Sequence, residues 1–214
     1  MDMGRIGGLD GSSMLRSPLR PTTSNATMHR LVPVLVAGAV LAGCAATPAA
    51  TPAVTSASTD ARDGFMATLT SLCGQRFEGG LAYTVDPDSE FAGKKISTEV
   101  VCGAADVRMP VRVGEDRSRT WIFTRAQAGL ELRHDHRHAD GTPDKVTMYG
   151  GMAQPGGTAR SQAFLADAYT ARLVPGAENH LWTVSLSDDG RVLTYRLERH
   201  AQPRAEFVLR RVPG

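Results

Sequence analysis

The sequence predicts a mainly β fold, an antiparallel meander of about eight to ten strands closed into a barrel, preceded by one short helix. Three observations predict it. β-favouring runs follow one another with turn residues between them, apolar and polar residues alternate along those runs, and a single stretch near residue 65 carries a helical period.

The chain has 214 residues, a length suited to one domain with appendages. A charged fraction of 21% with a mean hydropathy of -0.20 excludes a polytopic membrane protein, and 42% hydrophobic residues excludes a wholly disordered chain. Residues 31–43 read LVPVLVAGAVLAG, without a charge and directly after His29 and Arg30. As a helix they rise only ~20 Å, short of the ~30 Å hydrocarbon core, which makes them the apolar region of a signal peptide and not a membrane span. The run ends in Leu41-Ala42-Gly43-Cys44, which resembles the lipobox of bacterial lipoproteins. That resemblance implies a diacylglycerol on the Cys44 thiol, cleavage before it, and the membrane as a partner through the lipid anchor.

The leader orders the rest of the N-terminus. Met28 stands before the basic flank and is the expected start, so residues 1–27 read as a disordered extension upstream of it and 28–43 as the signal peptide. Residues 44–62 are then the lipidated cysteine and a flexible tether, with fifteen of the eighteen positions from 45 to 62 being Ala, Thr, Pro or Ser. Ala45, where inner-membrane lipoproteins of enterobacteria carry Asp, implies an outer-membrane lipoprotein of the cell envelope facing the periplasm. Cleavage removes Arg5, Arg16, Arg20, Arg30, Asp2 and Asp10, which takes 24 basic and 22 acidic residues down to 20 of each. The formal charge of +2 therefore belongs to the leader, and no nucleic-acid partner is indicated. With Cys44 lipidated, Cys73 and Cys102 remain in an oxidising compartment. They are expected to form a disulfide worth ~3 kcal/mol, the alternative being two buried free thiols.

The folded part is expected over residues 63–214. It opens with Asp63 as an N-cap, Phe65, Leu69 and Leu72 at helical spacing, and Gly74 as a stop. Strands follow at 81–85, 96–102, 107–113, 120–125, 130–138, 145–149, 162–174 (a run that invites a break), 181–187, 192–199 and 204–212. The four-residue turn 188–191 sets Trp182 beside Leu197, Val184 beside Tyr195, and Leu186 beside Leu193 on one face, with Thr183, Ser185, Thr194 and Arg196 on the other.

The turn 126–129 does the same for the next hairpin. Phe123 falls beside Leu132, Trp121 beside His134, Arg119 beside His136, and Arg117 beside His138. The opposite face sets Thr124, Ile122, Thr120 and Ser118 against Glu131, Arg133, Asp135 and Arg137, and its alternating charges read as solvated. The first face is the inner one, and its gradient from Phe and Leu to His and Arg predicts a cavity with an apolar floor and a polar mouth.

At that mouth stands His134-Asp135-His136-Arg137-His138-Ala139-Asp140-Gly141. Residues two apart on a strand point the same way at ~6.6 Å, so two of the three histidines can share a metal ion such as zinc or copper. The third can join through a bend, with His180 a distant ligand and Asp140 and Tyr149 weaker ones. Arg117 and Arg119 argue instead for a small anionic ligand held by guanidinium forks and imidazole donors. A third reading is a hydrated strand end with Asp140-Gly141 as its turn. Gly150, Gly151, Gly156 and Gly157 read as a mobile loop near the cavity, since neither the Lys-Ser/Thr nor the helix of a phosphate loop follows. Glu115-Asp116 reads as a turn, and the mature chain has no G-x-S-x-G or H-E-x-x-H.

GEDRSRTW (residues 114–121), HDHRHADG (134–141) and TMYGG (147–151) resemble a family of small secreted proteins and lipoproteins of proteobacteria without an assigned activity, over most of residues 65–209. The initial helix, the Gly-x-x-Phe-x-Gly of Gly74, Phe77 and Gly79, and the meandering strands resemble lipocalin and fatty-acid-binding barrels in architecture. The expected function is a lipid-anchored envelope barrel binding a metal ion or small ligand through Arg117, Arg119, Trp121, His134, His136, His138, Tyr149 and His180. Its competitors are a hydrolase or isomerase using the same histidines, and an envelope scaffold without a ligand.

Overall fold

A computed structural model describes residues 60–213. The expected start, signal peptide and lipidated Cys44, and all but the last residues of the tether, lie outside the described residues.

Helix α1 (Ala61–Thr70) is capped by Asp60, whose side chain accepts from the Arg62 backbone N–H. The cap therefore lies three residues before the expected Asp63, and Ala61 and Arg62 belong to the fold and not to the tether. Asp63 instead pairs with Arg125 of the barrel wall. Phe65, Leu69 and Leu72 are buried as their spacing predicts. Gly74, at φ 75°, turns the chain out of the helix in the left-handed region that suits glycine.

The strands are β1 (Arg76–Thr84), β2 (Ile96–Glu99), β3 (Val101–Cys102), β4 (Asp106–Val113), β5 (Asp116–Ala126), β6 (Gly129–His136), β7 (Tyr149–Ala153), β8 (Ser161–Ala166), β9 (His180–Leu186), β10 (Val192–Arg199) and β11 (Gln202–Val212). From β4 to β11 each pairs antiparallel with the next, β11 returns to β1, and β1 pairs with β2. The β2–β4 pairing closes the ring. The result is a closed ten-stranded antiparallel barrel of lipocalin-like architecture, with the short β3 continuing the line of β2 along β4. Among the described residues, closure leaves no long unpaired strand edge for another chain to join.

Three expected strands change. Residues 96–102 break at Val100, whose N–H and carbonyl turn to the α1–β1 connection at Gln75 and Gly74. The run 162–174 divides into β8 and a second short helix, α2 (Ala168–Leu173), because Asp167 accepts from the Thr170 N–H and starts a helix there. Of the expected strand 145–149 only Tyr149 is strand, and residues 145–148 form a bend. The Asp144 carboxylate takes the Val146 N–H and Met148 sits at φ 56°, so pairing begins at Tyr149.

Gly150 and Gly151 consequently lie in β7 and are not part of a mobile loop. A Cβ on Gly150 would collide with the Leu132 carbonyl oxygen, and one on Gly151 with that of Leu165. The absence of side chains is what lets β6 and β8 approach. Both hairpin registers match expectation, Trp182↔Leu197 through Leu186↔Leu193 and Arg125↔Leu130 through Arg119↔His136.

Helix α1 closes one end of the barrel. Phe65 packs edge-on against Phe123 and Phe164, with ring centroids 6.1 and 6.4 Å away. Its neighbours Ala159 and Gly190 belong to the β7–β8 and β9–β10 turns, so the β4–β5, β6–β7 and β10–β11 turns mark the opposite end. Cys73 and Cys102 are joined by a disulfide, with Cα atoms 5.8 Å apart, which ties the exit of α1 to β3.

Candidate functional site

Rising from the closed end, the inner faces of β5 and β6 present Phe123 with Leu132, then Trp121 with His134, then Arg119 with His136. The cavity expected between floor and mouth is filled by aromatic side chains. Tyr195, reaching in from β10 on the far wall, stacks on Trp121 with centroids 4.3 Å apart and planes 3° from parallel. Its other side stacks on Phe207 at 5.5 Å. Each ring buries large apolar area and pairs face to face, so the column supports the wall from within.

His134 is buried beside this column. Its Nδ1 lies 3.1 Å from the Tyr149 carbonyl oxygen, an acceptor, so Nδ1 carries the proton and donates. Its Nε2 lies 2.7 Å from the Tyr195 hydroxyl and accepts from it. Burial holds its pKa down to about 3, so the ring is neutral with both nitrogens partnered by protein. Burial also pushes the Tyr195 phenol well above its ordinary value and keeps the donated proton in place. A metal ion at His134 would have to displace that buried hydroxyl.

His136, one step nearer the mouth, has its Nε2 3.0 Å from the Tyr149 hydroxyl, and its backbone N–H donates to Thr147 Oγ1. Burial, with the Arg119 guanidinium second, lowers the His136 pKa. Burial pushes the Tyr149 phenol up to about 12. Arg119 divides its two ends between Asp116 at Nη1 and Glu90 at Nη2, the latter at 2.7 Å. Across the mouth, His180 stands in register with Arg199. Burial first, then Arg199, lowers its pKa as well. Two imidazoles on different walls are thus each set beside a guanidinium.

The other predicted residues are not gathered here. β6 ends at His136, and Arg137 turns outward to Asp135 at 2.9 Å and to the Gly141 carbonyl at 3.0 Å, carrying the chain back on itself. His138 is exposed, with Nδ1 3.9 Å from Asp144. The Asp140 carboxylate accepts from the N–H and hydroxyl of Thr142. Arg117 is exposed and does not pair with His138. His134, His136, His138 and Asp140 therefore do not form the expected metal set, and among the described residues no group of three or more His, Cys, Asp or Glu side chains is arranged to hold a metal ion.

The outer face is less solvated than its charges suggest. Ile122 and Asp135 are buried, and Arg133 bridges Glu131 and Asp167 at 2.6 Å each beside α2. Three contributors escape a reading by hairpins. Tyr195 carries only its inward parity, while Glu90 and Phe91 sit in a loop without any period.

Fold and site together define a closed antiparallel barrel whose open end is lined by aromatic rings and carries Arg119, held by Asp116 and Glu90, with His136, His180 and Arg199. Comparison with protein-family models, curated proteins and solved structures returned no match.

Proposed function

We propose that this chain is a lipid-anchored protein of the bacterial cell envelope, tethered through Cys44 to the outer membrane, whose barrel mouth binds a small anionic ligand. The observation that carries the ligand class is the pairing of Arg119 with His136 on one wall and of Arg199 with His180 on the other. Arg119 is held by Asp116 and Glu90, so an acid that takes the place of Glu90 meets charge-assisted guanidinium donors, as a carboxylate or phosphate requires. The resemblance of residues 41–44 to a lipobox supports the anchor.

The test uses the mature chain with Cys44→Ser, released as a soluble protein. Native mass spectrometry should find a small acid bound to it, lost in Arg119→Gln. Stoichiometric zinc or copper that disappears in His136→Ala would favour the metal reading instead. In cells, Cys44→Ser should abolish incorporation of labelled palmitate and move the protein from the membrane to the soluble periplasmic fraction.

A further inference from the structure

The mouth is already occupied by the chain itself. The loop of residues 85–95 between β1 and β2 lies over it. Its Phe91 ring packs on Phe207 at 4.9 Å, at the end of the Trp121–Tyr195–Phe207 column, with the Arg119 guanidinium 5.4 Å from its centroid. The adjacent Glu90 places its carboxylate on Arg119 Nη2.

The loop is fastened at its two ends. Val85 N–H donates to the Arg204 carbonyl, and Gly114 N–H to that of Lys95. Between these anchors its backbone bonds run within the loop, from Ser89 to Asp86, Ala92 to Ser89 and Lys94 to Phe91. Its middle therefore meets the mouth through two side chains, a carboxylate and a flat ring. Such a loop can swing away without losing its internal bonds. Asp116 would stay on Nη1 of Arg119 while Nη2 came free. The Glu90 side chain is 56% exposed against 16% for Arg119, so on release its carboxylate returns to water while another acid can take its place on Arg119.

Resting on the anionic-ligand reading above, we infer that Glu90 and Phe91 form an autoinhibitory clasp that imitates the ligand, and that the ligand is an acid carried on a flat apolar or aromatic body. Its acid group replaces Glu90 on Arg119, and its body replaces Phe91 on Phe207. Ligand and clasp exclude one another, so apparent affinity is reduced by the fraction of molecules with the clasp closed.

The probe is 2-naphthylacetate, titrated calorimetrically into the soluble Cys44→Ser chain, with the uncharged 2-naphthalenemethanol as its partner. Opening the clasp with Glu90→Gln and Phe91→Ala together should tighten binding of the acid about tenfold. Glu90→Gln alone, which keeps the ring in place, should give a smaller gain in the same direction. Adding Arg119→Gln to the open variant should weaken the acid at least tenfold, and the uncharged analogue, lacking the Arg119 contact, should bind the open variant at least tenfold more weakly than the acid. Equal affinity with and without the clasp overturns the inference while leaving the mouth as a binding site. Equal affinity of the acid and the uncharged analogue for the open variant overturns the assigned ligand class. If the acid binds neither protein, the mouth reading fails and the clasp falls with it.

Discussion

Tyr195 and His134 form the most consequential pair in the barrel, because neither has water to fall back on. Tyr195→Phe keeps the stacked ring and deletes one hydroxyl, yet it leaves His134 Nε2 as a buried acceptor without a donor. The expected cost is about 1–3 kcal/mol in urea unfolding. His134 also sets a pH dependence. Its folded pKa of about 3 lies below the 6.5 of a free imidazole, so between those values the unfolded chain binds a proton that the folded chain refuses. Stability is therefore full above pH 6.5 and falls as pH drops, by about 1.4 kcal/mol per pH unit for this one proton. His136 and His180, also lowered, add to the same slope. Urea midpoints at pH 7 and pH 5 should show the loss, and equal midpoints would contradict the buried neutral ring.

β7 is the element most dependent on its sequence. It is five residues long, and two adjacent glycines let it fit between β6 and β8. Gly151→Ala should force its Cβ against the Leu165 carbonyl and part the β7–β8 ladder, at a cost of about 3 kcal/mol. Gly156→Ala in the neighbouring turn, where nothing lies within 4 Å of the new methyl, should cost only about 1 kcal/mol through its positive φ. Comparing the two by chemical denaturation separates close approach from backbone strain. β7 also carries Tyr149, so parting its ladder should loosen His136 at the mouth.

For the whole molecule the decisive features are closure and the two end plugs. Phe65 and α1 fill one end, Phe91 and its loop cover the other, and the aromatic column fills the middle. The Cys73–Cys102 bond spans 29 residues and acts on the unfolded ensemble of the entire chain. Reduction, or Cys73→Ser with Cys102→Ser, should lower global stability by about 3–4 kcal/mol on the chain-entropy account, read from the shift in unfolding midpoint. The fold should survive in the reduced chain, because the ladder closes through β2–β4 without the sulfurs.

Alternation along single strands made the meander legible in the amino-acid order, and the four-residue turns 126–129 and 188–191 made two registers legible to the residue. Phe65, Leu69 and Leu72 marked the helix face in the same way. Such signals are local, since each needs only a pleat, a turn or a helical period. Competition between local preferences was harder to read. At 145–148 an Asx turn and a left-handed Met148 overrode β propensity, and at Asp167 a capping carboxylate turned a strand run into helix. Contacts between distant segments left no local trace: β2 meeting β4, Tyr195 crossing the barrel to His134, and Glu90 reaching Arg119 are 13 to 61 residues apart. Burial across the barrel therefore decided which histidines are neutral and partnered, and which basic groups remain at the mouth.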